Sequence, residues 1–173
     1  NMSDVKGFYD YEGADLSFHL PDGIYRLKVA DYTADFWDEE EARPRLVLET
    51  TIVDGEYEGF FGPRLQWDFG GSGTTKEGKE FTIKLEDALK RMVVQASAIM
   101  GGRIPLTSPN THNITMLEEV GRALKGKEFF GRVTQDKNGY ARIDGRGKAA
   151  GTARGVFPLT EPPAEMGHKE VVV

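Results

Sequence analysis

Between Arg45 and Phe69, apolar and polar positions alternate in two runs separated by an acidic, glycine-bearing connection. Leu46, Leu48, Thr50 and Ile52 share one parity against Arg45, Val47, Glu49, Thr51 and Val53, the period of a half-buried strand. Asp54-Gly55 breaks the run, because glycine reaches the positive φ that a hairpin connection needs. After Gly59 a second run sets Leu65, Trp67 and Phe69 on one face and Arg64, Gln66 and Asp68 on the other. The pattern predicts a twisted antiparallel pair.

Residues 23–35 alternate likewise, with Tyr25, Leu27 and Val29 against Arg26, Lys28, Ala30 and Tyr32. They predict a first strand whose outer face is basic and tipped by an aromatic ring. Ahead of it, residues 2–20 hold Phe8, Tyr9, Tyr11 and Phe18 without a sustained period and are read as an arm laid over the domain. Gly70–Gly78 is polar and glycine-rich, either a plain connector or a flap carrying Lys76 and Lys79. From Phe81 the period changes: Leu85, Leu89, Met92, Ala96 and Ile99 form one helical stripe, which Gly101-Gly102 stops. Leu117, Val120 and Leu124 mark the buried side of a short second helix that ends at Gly126.

Lys127–Gln135 and Tyr140–Asp144 predict a last hairpin, turned by Asp136-Lys137-Asn138-Gly139. One face of it carries Phe130, Arg132, Tyr140 and Arg142. After Gly145 the chain is rich in glycine, alanine, arginine and proline and predicts an extended tail, with residues 156–159 docking on the body. Three strands, a helix, a short helix and two further strands is the order of a mainly β, five-stranded OB-type Greek-key barrel with a helix inserted after the third strand. The expected organisation is therefore an arm over 2–20, a barrel over 21–145 and a tail over 146–173.

Length and composition narrow the class. The 173 residues suffice for one core, and the absence of cysteine excludes disulfide and thiolate-metal scaffolds. No apolar run approaches the roughly 20 residues of a membrane span, and no basic-then-apolar leader opens the chain, so the expectation is a soluble cytoplasmic protein without a membrane partner. The net charge of −6 argues against a phosphate ligand until its distribution is considered. Residues 121–154 hold nine cations against three carboxylates, a local +6 that leaves −12 on the remainder. A basic groove on an acidic body fits that division; so does a solvated edge.

Catalytic chemistry is not visible. His19, His112 and His168 lack spaced partners, and there is no HExxH, GxSxG or phosphate loop, so no enzyme activity and no cofactor are expected. The run Asp38-Glu39-Glu40-Glu41 lacks the ligand spacing and turn glycine of a calcium loop, and is read as a solvated loop that repels or gates an anionic ligand. What remains suits a single strand of nucleic acid: rings to stack on bases, with cations between them for phosphates. The candidates are Tyr32, Phe61, Trp67, Phe130 and Tyr140 for stacking, and Arg26, Lys28, Arg45, Arg64, Lys76, Arg132, Arg142 and Arg146 for phosphate. Trp67 has a competing place in the core, since it shares parity with Leu65 and Phe69.

Three motifs carry a resemblance. The opening Leu20-Pro21-x-Gly23-x-Tyr25, the turn Asp54-Gly55-Glu56-Tyr57-x-Gly59 and the entry Leu124-x-Gly126-Lys127 with its closing Tyr140 lie within residues 20–145. Together they resemble the small phage-encoded single-stranded-DNA-binding proteins of replication and recombination modules, several long known only as a domain of unknown function. The resemblance implies an OB fold that coats single-stranded DNA with little sequence preference, alongside replication or recombination proteins, in the host cytoplasm. Many such proteins end in an acidic partner-recruiting tail, whereas this chain ends in Lys169-Glu170-Val171-Val172-Val173. That ending is expected to pair by strand addition with a second copy, giving a homodimer. The alternative is a β-barrel protein–protein adaptor or virion component that binds no nucleic acid.

Overall fold

The computed structural model describes residues 20–70, 72–75, 77–82, 85–104, 114–143 and 153–163. Most of the expected arm, the three histidines, Lys76, Arg146 and the proposed dimer strand at 169–173 lie outside these residues. Ten elements follow in order: β1 (Gly23–Asp38), β2 (Arg43–Ile52), β3 (Leu65–Asp68), β4 (Ser72–Thr74), β5 (Glu80–Thr82), α1 (Leu85–Met100), α2 (Ile114–Leu124), β6 (Glu128–Gln135), β7 (Ala141–Ile143) and β8 (Val156–Phe157).

Five antiparallel strands lie in the order β3-β2-β1-β6-β7, and β8 adds to β6 beyond the end of β7. A meander of three strands, followed by a fourth that returns beside the first, is a Greek key. With both helices inserted before that fourth strand, the sheet curls into an open half-barrel of the OB type, as the alternation and element order predict.

Curling depends on β1, which serves two partners. Gly23–Lys28 pairs with β6, and from Leu27 onward the strand pairs with β2. Its register against β2 slips between Val29 and Asp31, so Ala30 is an extra residue, a bulge that bends the strand. Beyond the bulge parity inverts. Tyr32 opposes Leu48 and Ala34 opposes Leu46, both core positions, so Tyr32 turns inward and does not share the outer face with Arg26 and Lys28. Its ring lies on Gly121 of α2, and its hydroxyl donates to Glu118 at 3.4 Å.

The core fills the trough of the sheet. Leu27, Val29, Leu46, Leu48, Ile52, Phe69, Phe129 and Val133 are all at most 2% exposed. Leu27 fits because its two neighbours across the trough are glycines: a Cβ on Gly131 would lie 2.8 Å from one of its methyl groups, and one on Gly62 2.9 Å from the other. The buried faces of α2 (Met116, Leu117, Val120, Leu124) and α1 (Ala88, Met92, Ala96, Ile99) cover this core.

Several expectations need correction. The hairpin after β2 is tight, with Gly59 N–H donating to Ile52 at 2.9 Å, but Pro63 interrupts the return before β3 begins at Leu65. The glycine-rich stretch after β3 is not a plain connector: Ser72–Thr74 and Glu80–Thr82 pair as a small separate hairpin. The first helix starts at Leu85, which is 43% exposed, and its buried stripe runs Ala88-Met92-Gln95-Ala96-Ile99. Docking of the tail segment is as expected: Val156 and Phe157 pair with Gly131 and Phe130.

Alanine normally outperforms glycine inside a helix by about 1 kcal/mol. At Gly121 the order reverses, because a Cβ there would stand 2.6 Å from Tyr32 Cγ. Gly121→Ala is expected to lower unfolding free energy in urea by about 1–3 kcal/mol. Adding Tyr32→Ala should produce a total smaller than the sum of the two single losses.

Candidate nucleic-acid interface

The outward face of the sheet holds most of the cations singled out from the sequence, and carboxylates answer three of them. Arg26 meets Glu128 at 2.8 Å, Arg45 meets Asp35 at 2.7 Å and Arg64 meets Glu49 at 3.0 Å. Lys125 approaches Asp31 at 3.4 Å on the same side. The Arg45 hydrogen bond holds the Asp35 carboxyl below the usual carboxylate range. Exposed pairs of this kind add little stability, yet they cancel the charge a phosphate would seek. Lys28 is exposed on this face and has no ion pair among the described residues.

Burial redistributes the aromatic candidates. Phe61 and Trp67 are each 5% exposed and belong to the core, so neither offers a ring face to a base. Tyr32 packs on α2, as above. Phe130 opposes Phe157 of β8, and the Arg132 guanidinium carbon stands 5.7 Å from the centroid of the Phe157 ring, with Nε buried and unpartnered. The docked tail strand therefore lies along the β6 edge, with Phe157 beside these two side chains. Tyr140 remains 42% exposed, two residues before Arg142.

A different surface gathers four arginines, of which Arg64 is paired with Glu49 and Arg142 with Asp136. The sheet is open between its end strands β3 and β7, with α1 nearby, and a cleft of about 260 Å³ lies at this seam. Its lining combines Arg64, Leu65, Gln66 and Trp67 of β3, Arg91 and Gln95 of α1, Arg142 and Ile143 of β7, and Arg154 just before β8. Four guanidinium groups meet there, and no carboxylate residue lines the cleft. Arg91 and Arg154 are exposed and form no ion pair among the described residues. Such forks match phosphate oxygens in pairs, and the two without an ion pair, beside the paired Arg64 and Arg142, give the cleft an excess of positive charge on an otherwise acidic chain.

Of the candidates from sequence, the cleft unites Arg64, Arg142 and the buried Trp67. It adds Arg91 and Arg154, which sequence reasoning missed. A helix read for its apolar stripe gave no reason to single out Arg91, although Arg91 and Gln95 lie one helical turn apart and therefore share a face. Arg154 belonged to a stretch read as tail. Among the described residues, no three His, Asp or Glu side chains cluster to hold a metal, and no helix is long and apolar enough to cross a membrane.

The β6–β7 turn presents Arg142. Asp136 Oδ1 accepts the backbone N–H groups of Asn138 at 2.8 Å and Tyr140 at 3.0 Å, and Oδ2 accepts Arg142 Nε at 3.1 Å. Partial desolvation pushes the Asp136 pKa upward, but the Tyr140 N–H, Arg142 and the Asn138 N–H together bring it below the usual range.

The chain matches no protein-family model and no curated protein.

Because the folded-state pKa of Asp136 is depressed, its contribution is complete above the unfolded value of about 4 and is lost as pH falls through the folded value. Amide exchange at Asn138 and Tyr140 should therefore accelerate in acid relative to the core strands. Asp136→Asn should remove that dependence; an unchanged acid response in this variant would reject the assignment.

Proposed function

We propose that this protein binds single-stranded DNA without strong sequence preference and without catalysis, as phage-type coating proteins of replication and recombination do. The observation that carries the reading is the seam cleft, where four arginines meet without a lining carboxylate. Phosphates of a single strand pass along Arg64, Arg91, Arg142 and Arg154, while Tyr140 supplies a ring for one base. The resemblance of residues 20–145 to phage single-stranded-DNA-binding proteins supports the same ligand, and the OB-type half-barrel is a scaffold that suits it. The ligand follows the open seam, where Arg91 and Arg154 have no ion pair among the described residues, and leaves the part of the outer sheet face where Arg26 and Arg45 are already paired with Glu128 and Asp35.

Fluorescence anisotropy with labelled oligo-dT at several salt concentrations tests the reading. Affinity should fall steeply with salt, at a log–log slope of about −0.7 per phosphate neutralised. Arg91→Ala should make that slope shallower by about 0.7. Tyr140→Ala should cost about 1–3 kcal/mol with little change in slope. Absence of salt-sensitive binding by the unaltered protein would reject the function and leave a protein–protein adaptor as the reading of the barrel.

A further inference from the structure

The C-terminal segment enters the cleft in a conformation that needs support. Arg154 has a φ of 49°, in the left-handed region that residues other than glycine adopt only where their surroundings hold them. Beside it, the Gly155 carbonyl accepts the Arg132 N–H at 2.8 Å, and the Val156 N–H closes the turn onto Ala153 at 3.1 Å. Val156 is fully buried. The remaining support comes from α1, where Gln95 Nε2 donates to the Arg154 carbonyl oxygen at 3.3 Å.

Gln95 is an anomaly on its helix. It sits in an otherwise apolar buried stripe and is only 8% exposed. A buried amide is costly unless its polar atoms are bonded, and here both ends are engaged. Its Oε1 accepts the Trp67 indole N–H at 2.6 Å, while its Nε2 reaches residue 154. One side chain thus ties β3, α1 and the C-terminal segment together at the floor of the cleft.

We infer that Gln95 is a positioning residue for the nucleic-acid site: it latches residues 153–157 as a wall of the cleft and so fixes the Arg154 guanidinium in the path of the ligand. The inference rests on the cleft being the binding site, and it adds a direct binding role for the C-terminal segment. Without the latch, the left-handed turn relaxes and Arg154 no longer contributes a phosphate contact.

Two measurements on the full-length protein test this. The first needs no ligand. In Gln95→Met, amide exchange of Arg132 and Val156 should rise at least tenfold, with smaller changes in β1 and β2; an increase no larger than that of the core strands would overturn the latch. The second is the salt dependence of oligo-dT binding. Gln95→Met and Arg154→Ala should each make the log–log slope shallower by about 0.7, and the double variant should be no shallower than Arg154→Ala alone. Arg154→Lys should keep the slope. Were Gln95→Met not to fold, Gln95→Glu carries the amide-exchange expectation, since it keeps the acceptor for Trp67 and loses the donor to Arg154. If Arg91→Ala alters the slope and Arg154→Ala does not, the wall assignment is wrong while the function stands. Failure of the unaltered protein to bind oligo-dT would remove both.

Discussion

The extra residue at Ala30 is the constraint on which the architecture turns. A strand that serves β6 with its first half and β2 with its second must bend where the partners change, and a bulge supplies the bend. The bulge is stitched in place by the chain entering β6: the Val29 N–H donates to the Lys127 carbonyl at 2.9 Å, and the Val29 carbonyl accepts the Gly126 N–H at 2.8 Å. Gly126 can make that approach because it adopts a φ of 86°, which also ends α2. Inverted parity then sends Tyr32 inward onto Gly121, locking α2 against the far half of β1. Bending at the middle of the sheet brings its two end strands, β3 and β7, around toward one another, and the seam between them becomes the cleft.

Electrostatics divide the surface along the same line. On the outer face, cross-strand neighbours alternate in sign, so Arg26, Arg45 and Arg64 meet Glu128, Asp35 and Glu49. At the seam Glu49 and Asp136 answer Arg64 and Arg142, but no carboxylate among the described residues answers Arg91 or Arg154. Arg91 and Arg154 come from a helix and a turn, and their charge adds to that of Arg64 and Arg142. A chain of net charge −6 can in this way hold a local basin for an anion. In the proposed function a polyanion would meet the charge that Glu49 and Asp136 leave uncompensated there.

Strands with strict alternation were legible in the sequence because each has one buried face: Leu46, Leu48, Thr50 and Ile52 point inward as the period requires. Greek-key order followed from the positions of the helices between β3 and β6. The bulge was not legible, since one added residue leaves no mark on composition yet moves Tyr32 from the outer face to the inner one. Periodicity misjudged two things about α1: Phe81, where the helical reading began, belongs to β5, and Leu85 fits the spacing but lies past the edge of the core, while the stripe that does pack includes a glutamine. Arg154 was beyond reach of any local pattern, because its place is set by β8 pairing with β6 and by the amide of a residue 59 positions away.

Arginines beside open strand edges have a second explanation that must be weighed against binding. Among the described residues no strand pairs with the outer edges of β3 and β7, and charged side chains there discourage pairing between molecules. That accounts for Arg64 and Arg142, which flank or occupy those strands. It does not account for Arg91, carried by a helix with no edge to protect, nor for Arg154, held in a disfavoured backbone conformation beside a strand that already has a partner. Edge protection also asks only for dispersed charge, whereas these four groups converge on one concave space whose floor includes a buried amide. Glu49 and Asp136 offset part of this convergence of like charges, and an anionic ligand, as proposed, would offset the charge left on Arg91 and Arg154.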